Sequence, residues 1–461
     1  MQPEHYFQEK FMFPVSVDED DKATEFRPLS AARPHMLAFH LAWLNLFSCF
    51  FSTFSIPPLL PIIREDLKLT AADIGAAGTA SFAGSIFSRL LMGPTCDLVG
   101  PRIASGTLSL LTAPIILATS LVSTPTSFIV IRFLVGFCLA NFVSSQFWMS
   151  SMFSGNVVGL ANGVVAGWAN VGSGVTQLVM PVVYSLFISL FNLSSSTAWR
   201  LSFIIPAIFQ ATTGTLVLLY GQDLPSSYNH NTKKGTNNPK ESVSVVVFRG
   251  LSNYRGWILG LLYAASFGVE LTMDNIIAEY FYDRFGVNVQ TAGTIAACFG
   301  MANLFSRPMG GVMSDRMGKR FGMRGRLWGL WAVQTVAGLF CVLLGRVNSL
   351  WSSVLVMCCF SVFVQAASGL NFGVVPFVSK RSLGVIAGMT GSGGTIGAVV
   401  TQMLLFSGGS LPTQTSISLM GLLIIFCTLP VTLIYFSRSG GMFCGPASCH
   451  DPIEENYSLL E

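Results

Sequence analysis

The chain has 461 residues, 51% of them hydrophobic and only 10% charged, whereas a soluble protein carries about 25% charged residues, so the composition is that of a membrane protein. The net charge of +4 is modest, and most Lys and Arg fall in short loops rather than in one basic patch, which argues against a nucleic-acid partner. The ten cysteines form no CxxC pair and no His/Cys cluster, and most lie in apolar runs, so they read as small buried residues, with no metal and no cofactor expected.

The chain opens on a polar stretch that includes Asp18-Glu19-Asp20-Asp21 and has no cleavable signal peptide. A spanning helix needs about 20 mostly apolar residues. Twelve candidates follow, at roughly 37–60, 72–95, 103–122, 126–152, 157–190, 199–221, 256–282, 290–314, 327–346, 350–373, 383–408 and 415–437. The polar stretch 222–255, with Asn231-Thr232-Lys233-Lys234 inside it, reads as a flexible linker. The expected layout is a cytoplasmic tail (1–35), a six-helix half (36–221), a cytoplasmic linker (222–255), a second six-helix half (256–437) and a cytoplasmic tail (438–461).

Orientation follows from the basic residues. With the N-terminus inside, cytoplasmic loops hold Arg102, Lys233, Lys234, Lys240, Arg249, Arg255, Lys380, Arg381 and the dense group Arg316, Lys319, Arg320, Arg324 and Arg326. External loops are poorer, with Arg64, Lys68, Arg284 and Arg346 the main members. A glycosylation sequon at Asn192-Leu193-Ser194 falls in an external loop, which agrees. A second, at Asn456-Tyr457-Ser458, falls in the cytoplasmic tail and is disregarded.

The spans contain an internal repeat. Phe87-Ser88-Arg89 is followed by Gly93, Asp97, Gly100 and Arg102, and Phe305-Ser306-Arg307 by Gly311, Asp315, Gly318 and Arg320, each displaced by 218 positions. The glycine run from Gly163 through Gly167 and Asn170 to Gly172 matches the run from Gly384 through Gly388 and Gly391 to Gly393 at a displacement of 221. Two six-helix halves related in this way are the build of a major-facilitator transporter, an all-α membrane fold with its site at midplane between the halves.

The loop element, with Gly93 and Asp97 in one copy and Gly311, Asp315, Arg316 and Arg320 in the other, resembles that superfamily's gating motif. Its aspartates can latch a gate by accepting hydrogen bonds at a neighbouring helix N-terminus or by pairing with a basic residue. The second latch is expected to be the stronger, because the first lacks the arginine after its aspartate.

Arg89 and Arg307 each lie eight residues before their latch aspartate, or about 12 Å into a hydrocarbon core of about 30 Å. An arginine at this depth is costly and faces a polar cavity. Two of them repel unless an anion lies between, and their planar forks suit a flat one. The alternative is that each pairs with a buried carboxylate, and the second span offers none nearby. In the seventh span Tyr263, Phe267, Glu270 and Asp274 share one helical face. The aromatics can sandwich a planar anion, and the two acids are candidates to carry a proton or, equally, to ion-pair with Arg307 or Arg132. Gly167 and Gly391 can expose backbone to a substrate, though such runs are more often packing motifs. Asn170 adds a neutral donor, and Phe142 in the fourth span an aromatic wall.

These residues together resemble the nitrate/nitrite porter family. The glycine runs are similar to its two nitrate signatures, Arg89 and Arg307 to its paired substrate arginines, Tyr263 and Phe267 to its seventh-helix aromatics, and Phe142 to its fourth-helix aromatic. Ala38-Phe39-His40-Leu41-Ala42-Trp43, Lys319-Arg320-Phe321-Gly322 and Gly441-Met442-Phe443-Cys444-Gly445-Pro446 resemble plant members in particular. The resemblance covers about residues 24–448 and implies proton-coupled nitrate transport by alternating access. The assignment of proton carriage to Glu270 and Asp274 comes from the stripe and not from the family. The partners implied are nitrate, with nitrite as a second candidate, protons and membrane lipid. The short-tailed, seed-type plant member that the chain resembles most is placed on the vacuolar membrane. Longer-tailed ones sit on the plasma membrane with a single-span partner protein, and a tail ending soon after Pro446 argues against that partner here. Nitrate/nitrite exchange and nitrate sensing without transport are the alternatives. No nucleophile–base pair, nucleotide loop or metal spacing suggests an enzyme.

Overall fold

Breaks in helical geometry, as much as hydropathy, divide the bundle into spans. The computed structural model describes residues 14–224, 243–287, 289–406 and 411–445. Residues 225–242 of the expected linker, with Lys233, Lys234 and Lys240, lie outside the described residues, as do the first 13 residues and the tail beyond 445 with its sequon. Before the linker run the helices His35–Thr53, Ala71–Val99, Pro101–Ala118, Pro125–Met152, Val158–Phe191 and Ile204–Tyr220. After it come Tyr254–Tyr263 continuing into Val269–Phe285, then Val289–Met301, Asn303–Leu344, Leu350–Phe372, Leu383–Leu405 and Thr413–Thr428.

Among the described residues, ten stretches are long and apolar enough to cross a membrane. The expected second span lies in Ala71–Val99, which is not one of those ten. The expected eighth and ninth spans lie on either side of Gly322 in Asn303–Leu344. Gly322 (φ 65°, ψ −155°) breaks that helix, and Gly100 (φ 85°) makes the corresponding break before Pro101. Both conformations belong to glycine because a Cβ would be strained there. The gating motif's second turn is therefore made by Gly322, one helical turn beyond the Gly318 that the 218-residue repeat aligned with Gly100.

Helix starts follow local chemistry. Thr70 accepts from the Asp73 amide (3.2 Å) while Asp73 accepts from the Thr70 amide (2.9 Å). Thr124 and Ser127 repeat this reciprocal cap. Within the first group of helices a buried polar web joins four spans. Asn45 donates to Ser105 (2.8 Å) and accepts from Ser109 (2.9 Å) and Thr213 (3.1 Å), and Asn141 donates to Ser109 (2.7 Å). This web fixes the turn that carries Phe142, and the apolar core runs past it through Tyr263 and Phe267.

The end segments pack on the bundle. Ala23 is fully buried, its amide donating to Met152 (3.0 Å) and its carbonyl accepting from Ser154 (2.9 Å), so part of the expected N-terminal tail is docked. At the other end Tyr435–Phe436 pairs with Gly440–Gly441. Arg324 and Trp328 both donate to the Met442 carbonyl (3.0 and 3.2 Å).

Among the described residues, two helix crossings dominate the contact between the groups. Ala71–Val99 packs on Leu383–Leu405, and Val158–Phe191 on Asn303–Leu344. A Cβ on Gly93 would stand 2.5 Å from the Gly384 carbonyl oxygen, and one on Gly163 would stand 2.6 Å from that of Arg307. The glycines thus set how closely the backbones approach.

Candidate functional site

Both repeated arginines are buried at these crossings, each about 1% exposed. Arg307 is held on every side. Its Nη2 pairs with Glu270 at 2.8 Å, its Nε donates to the Asn303 amide oxygen at 2.7 Å, and its Nη1 reaches the Tyr263 hydroxyl at 3.4 Å. Asn170, with its amide oxygen turned to the guanidinium, accepts from Nη2 at 3.1 Å and Nη1 at 3.2 Å. Of the two roles open to Glu270 in the sequence, the structure shows the ion pair to Arg307.

Arg89 has neutral partners only. Nη1 donates to the Gly391 carbonyl (2.6 Å) and the Thr395 hydroxyl (2.9 Å), and Nε to the Leu139 carbonyl (3.3 Å). Among the described residues its Nη2 has no hydrogen-bond acceptor, and no carboxylate pairs with it.

The aromatics tie the two cations together. The Phe267 ring centre lies 4.9 Å from the Arg307 guanidinium carbon and 5.7 Å from that of Arg89. Phe142 stacks parallel to Phe267 (6.1 Å, 9°) and sits 5.3 Å from Arg89. Tyr263 stacks on Phe267 at 5.1 Å, and Phe372 meets both Phe142 and Tyr263 edge-on at 5.1 and 5.0 Å. A stacked wall under two guanidinium forks suits a flat anion: π-faces lie against its plane and N–H donors meet its rim.

Two local departures from α-helix build this wall. Ala264–Gly268 is a π turn, which places Phe267 between Tyr263 and Glu270. Gly136–Ala140 is a 3-10 stretch, and the Leu139 carbonyl that accepts from Arg89 lies within it. The expected stripe therefore divides. Tyr263, Phe267 and Glu270 meet the arginines, while Asp274 lies one turn on, exposed and near Gly300.

The expected glycines take different parts. Gly391 supplies its carbonyl to Arg89. Gly167 packs, since a Cβ there would lie 2.6 Å from the Asn303 carbonyl oxygen.

Both latch aspartates cap helices of the opposite group. Asp97 accepts from the amides of Gly384 (3.0 Å) and Val385 (3.1 Å), and Asp315 from those of Gly159 (3.0 Å) and Leu160 (2.7 Å). Arg326 reinforces the second latch, pairing with Asp315 at 3.0 Å and donating to the Gly155 carbonyl at 2.6 Å. Gly318 leaves room for that guanidinium. The expected Arg316 and Arg320 are exposed.

The latches also correct the register of the glycine repeat. Gly159 pairs with Gly384, Gly163 with Gly388 at the two arginine carbonyls, and Asn170 with Thr395 at the two guanidinium groups. Each of these pairs is 225 residues apart, one helical turn beyond the 221 read from the sequence.

Site residues that the sequence did not single out include Asn303, Thr395, Phe372 and, among the basic loop residues, Arg326. Phe372 had a signal: Asn371-Phe372 repeats Asn141-Phe142. Asn303 is one turn before Arg307 on the same face.

Residues 42–401 match the Major Facilitator Superfamily. High affinity nitrate transporter 2.7 of Arabidopsis thaliana is 64% identical, over 97% of this chain and 93% of its own length. High-affinity nitrate transporter 2.3 of Oryza sativa subsp. japonica is 57% identical, over 97% and 86%. The nitrate/nitrite transporter NrtP of Nostoc punctiforme is 25% identical, over 84% and 90%. Among solved structures, the E. coli fucose:proton symporter FucP aligns with a TM-score of 0.62 at 16% identity, covering 86% of this chain and 98% of its own. The human organic anion transporter MFSD10 aligns at 0.60 and 15%, covering 86% and 99%. At these identities the structural likeness speaks for the fold alone.

Proposed function

Because the chain belongs to the major facilitator superfamily and, within it, to the family of the nitrate transporters it matches, we propose that it carries nitrate across a membrane by alternating access. It is a multi-pass membrane transporter and not an enzyme. The observation that carries the reading of the site is the unequal state of the two arginines. Arg307 is neutralised by Glu270, while among the described residues Arg89 has no carboxylate partner and no acceptor for its Nη2, beside a stacked aromatic wall. One buried positive charge in excess draws a monovalent anion to the site.

Nitrate is planar, with three equivalent oxygens. One edge fits the free donor of Arg89, and a second fits Arg307 once that guanidinium is released. Glu270 stands on Arg307 as the internal anion, so nitrate and the carboxylate compete for the same fork. Protonation of Glu270 ends the competition. Nitrate and one proton then enter together, and the loaded site carries the same net charge as the empty one. Asp274, exposed one turn from Glu270, is the entry point for that proton.

The aspartate caps lie at the end of the bundle that the positive-inside rule assigns to the cytoplasm, which supports loading from the opposite side. Opening that end breaks both latches and delivers the anion. Nitrite is a second candidate substrate, since NrtP relatives are named as nitrate/nitrite transporters. The vacuolar membrane is proposed on family resemblance, and a fluorescent fusion imaged in seed and root cells decides between it and the plasma membrane.

The test is uptake of isotope-labelled nitrate in oocytes as external pH is stepped, in wild type and Glu270→Gln. The wild type should show a KM for nitrate that rises with pH, and the variant a KM indifferent to pH. Wild-type flux that ignores the proton gradient but requires internal nitrite would establish exchange instead.

A further inference from the structure

Asn303 makes a connection that no other side chain among the described residues is seen to make: it bonds both members of the buried ion pair. Its amide oxygen accepts from Arg307 Nε at 2.7 Å, and its amide nitrogen donates to Glu270 Oε1 at 2.6 Å. Glu270 Oε2 in turn accepts from Arg307 Nη2 at 2.8 Å. The three side chains close a ring of hydrogen bonds in which Asn303 uses its donor and its acceptor at once. Asn303 is 3% exposed and sits one turn before Arg307 on the same helix. Its backbone is fixed from outside by Gly167, where a Cβ would press on the Asn303 carbonyl oxygen.

We propose that Asn303 is the positioning residue that sets the plane of the Arg307 guanidinium and conveys the protonation of Glu270 to it. This rests on the reading of Glu270 as the proton carrier.

The argument is geometric. A guanidinium has two edges that can hold a planar oxyanion by paired N–H donors. With Nε committed to Asn303, the edge left for an anion when Glu270 departs is Nη1–Nη2, the edge that also meets Tyr263 and Asn170. Without Asn303 the guanidinium is free to turn about its stem, and that edge is no longer presented beside Phe267.

The second half of the role concerns the carboxylate. A hydrogen bond donated to a carboxylate favours its charged form. Removing the Asn303 donor therefore breaks the link between Glu270 and the Nε side of Arg307, and with it changes the pH dependence of nitrate affinity. Serine offers a hydroxyl in place of the amide but is too short to reach both partners. Glutamine keeps both functions on a longer stem.

The experiment measures KM for nitrate against external pH in oocytes for wild type, Asn303→Ala, Asn303→Gln and Glu270→Gln, with surface abundance followed by a fluorescent fusion. Two signatures are expected of Asn303→Ala. KM on the acid plateau rises roughly tenfold, the value of one lost hydrogen bond to a charged group. The dependence of KM on pH departs from that of wild type. Asn303→Gln should restore part of both. A loss of labelled-nitrate uptake proportional to lost surface protein, with KM and its pH profile unchanged, would reduce Asn303 to a structural residue and overturn the proposal. The Glu270→Gln arm separates the two readings. If that variant keeps the wild-type pH profile, the proton reading of Glu270 fails, and with it the conveying role of Asn303. If Glu270→Gln is indifferent to pH while Asn303→Ala matches wild type, only the Asn303 proposal fails.

Discussion

Replacing Arg89 by lysine keeps the charge and removes the fork, so it asks whether the site holds its anion by field or by geometry. Arg89 spends Nη1 on the Gly391 carbonyl at 2.6 Å and the Thr395 hydroxyl at 2.9 Å, and Nε on the Leu139 carbonyl at 3.3 Å. Among the described residues only Nη2 is without an acceptor. A lysine ammonium is a single point with three donors. If it stays with Gly391 and Thr395 it lies away from the anion, and if it turns to the anion it leaves those two carbonyl and hydroxyl oxygens without their donor. Either way one charge-assisted hydrogen bond is lost, worth about 1.5–3 kcal/mol, or a KM for nitrate higher by roughly 10- to 150-fold. Arg89→Ala, which also removes the excess charge, should lose more. Labelled-nitrate uptake normalised to surface protein gives the comparison. If Arg89→Lys binds nitrate within about twofold of wild type, far less than the cost of one such bond, the planar-fork argument is wrong and charge alone suffices.

Gly167→Ala drives a methyl group to 2.6 Å from the Asn303 carbonyl oxygen, whereas Gly78→Ala meets nothing within 4 Å. Overpacking of this kind costs about 1–3 kcal/mol, so the first should lose transport at normal surface abundance and the second keep it. Equal activity would show that the fifth and eighth spans have slack. Arg326→Gln leaves Asp315 buried without its cation, a change of about 3–5 kcal/mol. It should lower the melting temperature of the purified protein by several degrees. The double variant Asp315→Asn, Arg326→Gln should recover part of that loss, and additive effects would mean that the two do not interact.

Asp223, in the loop after Ile204–Tyr220, is pushed up to about 6 by burial, against the pull of Arg102. Its folded value thus lies above the unfolded one of about 3.9. The folded chain binds the proton more tightly, so stability falls as pH rises from about 4 through about 6 and stays low above that. Asp223→Asn should melt higher than wild type at pH 7.5 and level with it at pH 4. The same difference at both pH values would exclude titration as its cause.

The parts of the site legible in the sequence were those repeated or periodic. Arg89 and Arg307 stood out because a cation in an apolar span is costly and because each had a twin. Tyr263, Phe267 and Glu270 followed from helical spacing, although the π turn at Ala264–Gly268 changes how they face one another. Asp274 fell away from the site because spacing alone cannot tell how far along a span a cavity closes. The repeat register failed by one turn for a similar reason. Glycine runs with a spacing of three or four match themselves at neighbouring turns, and only the Asp97 and Asp315 caps fix which turn is used. Arg326 was hidden among five basic residues, and Gly322 rather than composition decides which of them turns back toward Asp315.

The corrected register bears on how the anion could move the gate. Gly159, whose amide binds Asp315, and Asn170, which faces Arg307, are eleven residues apart on one helix. Gly384, whose amide binds Asp97, and Thr395, which holds Arg89, are eleven apart on its counterpart. Each latch is therefore joined to its arginine by three turns of continuous helix, about 16 Å, with no loop between to absorb motion. Val158–Phe191 and Leu383–Leu405 also contact their crossing partners through glycine, where backbones slide with little side-chain interlock. On the proposed mechanism, an anion that pulls Arg89 and Arg307 together must shift these two helices against the spans they cross. Those shifts load the Asp97 and Asp315 caps at the far end. The two ends do not respond alike. Asp315 keeps Arg326 on its own side of the crossing when its helix cap is lost, whereas Asp97 keeps no described ion-pair partner. The Asp315 side can therefore open without stranding a buried charge, and the Asp97 side must wait for water.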